Sequence, residues 1–218
     1  HNPDEISRKD LRINDYVIVR RAGDVIPEVV TSIPERRSGS EIEWSLDKRC
    51  PCGDFDIVYI KDEKVPRCSG RYDCKISKKE MLIYFASKSG LDIEGLGRET
   101  VETLIANKLV ENFEDFYSLT YEELISLPQW KEKKTKNLLE AIEKSKNSEQ
   151  EKLLPALGIR YVGKQTSKLL VNTFGSIRNI FDASSDEINN IHGISESVSS
   201  SLIEWYSENT NKLLITNL

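Results

Sequence analysis

Apolar residues in the second part of the chain recur in a register that leaves few folds open. Leu96, Trp130, Val162 and Ile194 stand 34, 32 and 32 residues apart. Three positions before each lies another apolar residue: Ile93, Leu127, Ile159 and Ile191. Eight positions after each lies a leucine, Leu104, Leu138, Leu170 and Leu202, followed at once by Ile105, Leu139, Val171 and Ile203. An apolar turn followed by an apolar pair that continues at 3.6-residue periodicity predicts one helical unit copied four times. Residues 81–218 are therefore expected to form an all-α tandem repeat.

Glycine flanks the anchors. Leu96 stands between Gly95 and Gly97, Gly163 follows Val162, and Gly193 precedes Ile194. An apolar residue beside glycine, directly before a helix, is the helix-hairpin-helix pattern. Glycine lets a backbone approach another surface closely, and the first-turn amides of the next helix carry a partial positive charge suited to one phosphate. Paired hairpins of this kind can hold a duplex along its minor groove without reading bases. In the first unit Gly95, Gly97 and Arg98 are the expected contacts, and in the third Gly163 and Lys164. The second unit reads Gln129-Trp130-Lys131-Glu132, with Lys131 as its candidate contact; the fourth reads Gly193-Ile194-Ser195-Glu196, with Gly193. These two units are expected to serve mainly in packing. The alternative for every unit is that glycine merely ends one helix and permits the next. Trp44, Trp130 and Trp205 read as packing aromatics, and His192 as a turn residue.

The 218 residues are room for several small domains. With 38% hydrophobic and 31% charged residues, and no apolar run near the roughly 20 residues a span requires, the composition predicts a soluble chain. Thirty-six acids against 31 bases give a net charge of -5, so any contact with a polyanion must be local rather than a whole-molecule field. The first residue is His1, and the expectation is a piece of a longer protein.

All four cysteines fall in one short stretch, Cys50, Cys52, Cys68 and Cys74. Four thiolates can close a tetrahedral zinc shell, and a segment this short needs a metal or a cross-link to fold. Two disulfides are the alternative reading. The single residue between Cys50 and Cys52 is tighter than the commoner two-residue gap. Gly53 and Gly70 are expected to supply the permissive dihedrals of a chain turning around an ion. With no histidine nearby to leave a water position, such an ion would be structural.

Between residues 11 and 33, branched residues flank Ala22-Gly23-Asp24, which predicts a β-hairpin with Pro27 at an edge or bulge. Two strands cannot close a barrel, so the rest of the sheet is expected from chain preceding this one. Val25 and Ile26 could wedge into a minor groove while Arg20 and Arg21 hold phosphate. An apolar hairpin core with solvated arginines is an equal alternative.

Taken together, His1-Asn2, the run from Val19 to Pro27, the four cysteines and Leu91-Asp92-Ile93-Glu94-Gly95-Leu96-Gly97 resemble the NAD-dependent DNA ligase family, with Ala156-Leu157-Gly158-Ile159-Arg160 and Val162-Gly163 matching its third hairpin. The resemblance implies a multidomain, mainly α chain. Its parts would be the end of an OB-fold, a partial β-barrel, over residues 1–44, a zinc finger over 45–80 with Cys50, Cys52, Cys68 and Cys74 as ligands, and helix-hairpin-helix repeats over 81–218. It further implies nicked duplex DNA and an upstream adenylation domain as partners, NAD and magnesium as cofactors of the parent enzyme, and a cytoplasmic, nucleoid-associated location. Arg21, Val25 and Ile26 match positions that touch DNA near the nick. The family's adenylated lysine lies in a Lys-x-Asp-Gly motif, which this sequence lacks, so the chain is expected to be inactive alone. A non-catalytic module that recruits repair proteins to DNA, and a scaffold with no DNA partner, are the alternatives.

Overall fold

The computed structural model describes residues 3–23, 26–60 and 65–217. His1, Asn2 and the expected wedge residue Val25 lie outside them. Contacts divide the chain into two units, His1–Lys78 and Lys79–Leu218. Among the described residues, no helix is long and apolar enough to cross a membrane.

The first unit opens with a short helix, α1 (Pro3–Arg8), followed by β1 (Arg12–Ile13), β2 (Val17–Ala22), β3 (Ile26–Ser32), a 3-10 turn (Pro34–Arg36) and β4 (Ile42–Glu43). β2 and β3 form the predicted antiparallel hairpin, with Arg20 opposite Glu28, Arg21 opposite Pro27 and Ala22 opposite Ile26. The second, smaller pair is β1 with β4. The turn was expected to include Ala22, but the strand carries on through it, because Ala22 still finds a ladder partner in Ile26. Pro27 faces Arg21 in a two-stranded ladder, where each strand is an edge, and the irregularity in register lies instead between Ile18 and Val19. The strands do not close into a barrel among the described residues. Nor do they bury a large apolar core: Ile18, Val19 and Ile26 are 50%, 54% and 69% exposed.

Charge holds this segment together instead. Arg37 lays its guanidinium on Asp15 through Nε and Nη2, at 2.7 and 2.8 Å, and donates from Nη1 to Asp10 Oδ2 at 2.7 Å and from Nη2 to the Asp10 carbonyl at 2.6 Å. Asp15 is withdrawn from solvent, its side chain 1% exposed, so the fork supplies the solvation the carboxylate lost. The Arg37 hydrogen bond holds the Asp15 carboxyl at about 2.

The second half of this unit is built around the cysteines. A bridge joins Arg49 to Asp56, and β5 (Ile57–Val58) pairs antiparallel with β6 (Arg67–Cys68). Cys50, Cys52 and Cys74 are buried, with Phe55, Ile57 and Cys68 packed against them.

The second unit is helical. Its elements are α2 (Lys75–Ala86), α3 (Arg98–Ala106), a 3-10 helix (Phe113–Ser118), α4 (Tyr121–Ile125), α5 (Glu132–Ser145), α6 (Gln150–Ala156), α7 (Lys164–Phe174), α8 (Ile177–Asp182), α9 (Ser185–Asn189), α10 (Glu196–Ser207) and α11 (Asn209–Asn217). The four predicted units are the pairs α2/α3, α4/α5, α6/α7 and α9/α10. All four predicted leucines are buried: Leu104 0%, Leu138 2%, Leu170 0% and Leu202 1% exposed. Each such burial contributes roughly 1.5–3 kcal/mol. The following position was expected to be buried too, but Ile203 is exposed at the surface. α5 shows why the helices form: Lys, Glu, Leu and Ala dominate it, and Thr135, Leu138, Ile142 and Ser145 line one buried stripe. Phe85 packs on Phe113 and Phe116, and Trp205 on Phe181, with ring centroids 4.7, 6.2 and 5.4 Å apart.

The depressed Asp15 titration fixes a direction. The ion pair stabilises the fold fully above the unfolded carboxyl value of about 3.9, and that contribution is lost as pH falls through the folded value of about 2. Replacing Arg37 with Ala should move the Asp15 side-chain NMR titration upward toward the unfolded value and lower the thermal midpoint of the first unit at neutral pH.

Candidate nucleic-acid interface and metal centre

Each hairpin turns through the same four residues. The amide of Leu96 donates to the Ile93 carbonyl, Trp130 to Leu127, Val162 to Ile159 and Ile194 to Ile191, at 3.1 to 3.2 Å. The third residue of the turn has positive φ in every copy: Gly95 +91°, Gln129 +67°, Tyr161 +61° and Gly193 +91°. A type II turn demands that dihedral there, and glycine adopts it at no steric cost. At Gly95 an added Cβ would only touch Leu138 at an ordinary contact distance of 3.4 Å, so the dihedral is what asks for glycine. The fourth residue is the apolar anchor. Leu96, Trp130 and Val162 are buried, at 2%, 8% and 5% exposed, while Ile194 is half-buried.

The residue after the anchor caps the next helix: Gly97, Lys131, Gly163 and Ser195, all in extended backbone. None of these four helices receives a side-chain cap, and even Ser195, a good capping residue, does not turn its hydroxyl inward. Elsewhere in the unit such caps are used freely. Thr120 and Ser184 form full capping boxes with Glu123 and Glu187 at α4 and α9, and Ser176 caps α8. The helix starts left without a side-chain cap include those of all four hairpins' second helices, and also that of α6 after Glu149.

Gly97 and Gly163 differ in kind from Gly95 and Gly193. Their φ values, −71° and −88°, suit any residue, and a Cβ on either would meet nothing within 4 Å. Neither conformation nor packing inside the chain requires glycine there. Both are exposed, as are the residues that follow them, Arg98 and Lys164. Arg98 is engaged: Nη1 and Nη2 each donate to a Glu80 oxygen at 2.7 Å, which pulls the Glu80 carboxyl below its ordinary range. Among the described residues Lys164 has no ion-pair partner.

Around the second hairpin three lysines, Lys131, Lys133 and Lys134, and two acids, Glu94 and Glu140, line one groove. The groove, of about 640 Å³, is also lined by Gly95 and Trp130, and the Lys134 ammonium sits 4.1 Å over the Trp130 ring. Trp130 and Trp205 are buried packing residues, and His192 is an exposed turn residue. In the first unit Arg20 is exposed and pairs across the ladder with Glu28 at 3.1 Å; Arg21 and Ile26 are exposed beside it.

One register escaped the sequence reading. Five residues after each anchor lie Val101, Thr135, Ser167 and Ser199, all 0% exposed. Ser167 Oγ donates to the Glu151 carbonyl and Ser199 Oγ to Asn189 Oδ1, at 2.6 and 2.7 Å, whereas Thr135 Oγ1 has no partner among the described residues. The signal was small size repeated in register rather than hydrophobicity.

The four cysteines converge. Their sulfurs all lie within 4.8 Å of one another, Cys50 and Cys74 at 3.9 Å, and all four thiols are free. With Zn–S bonds of about 2.3 Å, a tetrahedron has edges of about 3.8 Å, so the donors fit a tetrahedral thiolate-bound ion, and the short Cys50-Cys52 gap does not prevent it. Burial alone would raise the Cys74 thiol, but hydrogen bonds from the Ser77 amide and hydroxyl, the Cys68 thiol and the Ile76 amide bring it down. Gly53 has the expected positive φ, +86°. Gly70 is glycine for another reason: a Cβ there would overlap the Phe55 ring at 2.2 Å.

The distinction between the glycines is testable without any ligand. Ala at Gly95 or Gly193 should cost on the order of 1 kcal/mol in urea-unfolding stability, because L-residues resist positive φ, while Ala at Gly97 or Gly163 should leave stability nearly unchanged.

Comparison with known proteins follows the same layout. Residues 1–41 match the NAD-dependent DNA ligase OB-fold domain, and residues 152–215 match the helix-hairpin-helix motif. The whole chain is 39% identical over 218 residues to a DNA ligase of Anoxybacillus flavithermus and 40% identical to a DNA ligase of Syntrophobacter fumaroxidans. It spans 32% of the length of each of these relatives. The chain carries the OB-fold, four-cysteine and helix-hairpin-helix region of the NAD-dependent DNA ligase family.

Proposed function

We propose that this chain is the part of an NAD-dependent DNA ligase that grips the duplex while a nick is sealed. The observation that carries the reading is the pair Gly97 and Gly163. A glycine that neither φ nor internal packing requires, placed beside uncapped helix amides, suits a surface something else approaches closely. A phosphate matches the donors on offer, because first-turn amides and the positive helix end favour an anion. Lys164 and Lys131 add local positive charge on an otherwise acidic chain, while Arg98 stands beside the first hairpin paired to Glu80. Gly95 and Gly193 serve the same grip indirectly by shaping the turns.

A main-chain grip is indifferent to base sequence, as nick sealing requires. Arg20, Arg21 and Ile26 would add a contact from the OB-fold segment. Residues 1–44, 45–80 and 81–218 are the three modules of this reading. The adenylation chemistry, with NAD and magnesium, belongs to an upstream domain bearing the Lys-x-Asp-Gly motif, and the chain alone is inactive. What this part supplies is register: in-line attack needs both strand ends held in place. Zinc, held by Cys50, Cys52, Cys68 and Cys74, would cross-link a segment with little other core.

Two measurements test this. Fluorescence anisotropy with a labelled nicked duplex should give binding that weakens steeply with salt. Leu at Gly97 or Gly163 should weaken it by on the order of 1 kcal/mol or more through a lost amide–phosphate hydrogen bond, and charge reversal at Arg21 should cost more than at Arg178. Unchanged affinity in both glycine variants overturns the assignment. Metal analysis of reduced, folded protein should give one zinc per chain, with chelation unfolding residues 45–80 before the hairpins melt; substoichiometric metal contradicts the zinc reading.

A further inference from the structure

Arg98 and Lys164 occupy the same position, the first residue of a hairpin's second helix, yet their surroundings differ. Lys164 has no ion-pair partner among the described residues. Arg98 is forked onto Glu80 of α2, Nη1 and Nη2 each 2.7 Å from a carboxylate oxygen. Glu102 approaches Arg98 at 3.7 Å and pairs with Lys79 at 3.1 Å. Two acids and two bases therefore cancel beside the Gly97 amides. The Arg98 and Glu80 side chains are 53% and 48% exposed, and a pair this wet is held only weakly. A phosphate, which accepts the same bidentate fork, competes with Glu80 for Arg98.

We infer that Glu80 is a positioning residue that keeps Arg98 paired and charge-neutral, so that the first hairpin holds DNA by its main chain while the third adds a free lysine. This rests on the DNA-gripping reading above. Glu80 thereby sets how tightly and how salt-sensitively the chain binds, without touching DNA itself.

The test uses the 218-residue chain and a fluorescein-labelled nicked duplex, titrated between about 50 and 200 mM salt. Freeing one arginine to neutralise one more phosphate adds about 0.9 to the salt slope, so E80Q should bind up to about eightfold tighter at about 0.1 M salt. R98Q in the native background should shift the slope by well under that amount, and the double variant E80Q/R98Q should fall back to the R98Q value. Restoring the carboxylate as Glu80→Asp should return the slope toward the native one. Thermal melts of each variant verify folding, and the R98Q result stands by itself should E80Q fold poorly. An E80Q chain with unchanged or weaker affinity and unchanged slope overturns the inference while leaving the gripping reading intact, as does R98Q losing a full phosphate's worth of slope. Absence of any salt-sensitive binding by the native chain overturns both.

Discussion

The helical unit depends on a turn whose third residue holds positive φ. Without it the chain could not reverse within four residues and deliver an apolar anchor between two helices. Glycine makes the conformation inexpensive at Gly95 and Gly193, but Gln129 and Tyr161 adopt it with φ of +67° and +61°. Such a dihedral costs an L-residue on the order of 1 kcal/mol. Burial of Trp130 and Val162, and the amide-to-carbonyl bond that closes each turn, offset that cost. The same turn leaves the next helix to begin in extended backbone with no side chain capping its first amides.

Side-chain caps are unevenly distributed over the helix starts. Side chains satisfy the starts of α4, α8 and α9, those of Thr120, Ser176 and Ser184, whereas α6 begins at Glu149 without one. At the four hairpin junctions no side chain does so, although serine and lysine stand at two of them. An uncapped start sacrifices about 1 kcal/mol of helix stability and keeps donors available. On a chain with net charge -5, donors of this kind hold an anion without needing a positive surface.

Much of this was legible in the sequence because it was written in large apolar side chains at helical spacing. The anchors, the residues three before and the leucines eight after carry the fold through burial, which hydrophobicity reports directly. The buried stripe five after each anchor was not legible, because Thr135, Ser167 and Ser199 are polar, and polar letters do not announce burial. Glycine marked two of the turn dihedrals and could not mark Gln129 or Tyr161. The same letter was also ambiguous: Gly95 shapes a turn, Gly70 makes room for Phe55 and Gly97 does neither, a difference that only coordinates separate. Nothing in the sequence joined Asp15 to Arg37, 22 residues apart, since ion pairs between distant segments have no periodic signature. The cysteines were legible as a cluster, but the closeness of their sulfurs despite the short Cys50-Cys52 gap came from the chain path.

Trp130 and Trp205 equip the helical unit with two built-in optical probes of unequal sensitivity. The first lies under a lysine ammonium and lines the groove of Lys131, Lys133, Lys134, Glu94 and Glu140, so an anion that draws Lys134 aside alters the field on its indole. The second is sealed against Phe181 and blind to such events. Once Trp44 is replaced by Phe, emission from the pair separates occupancy of the groove from loosening of the interior, with no dye attached.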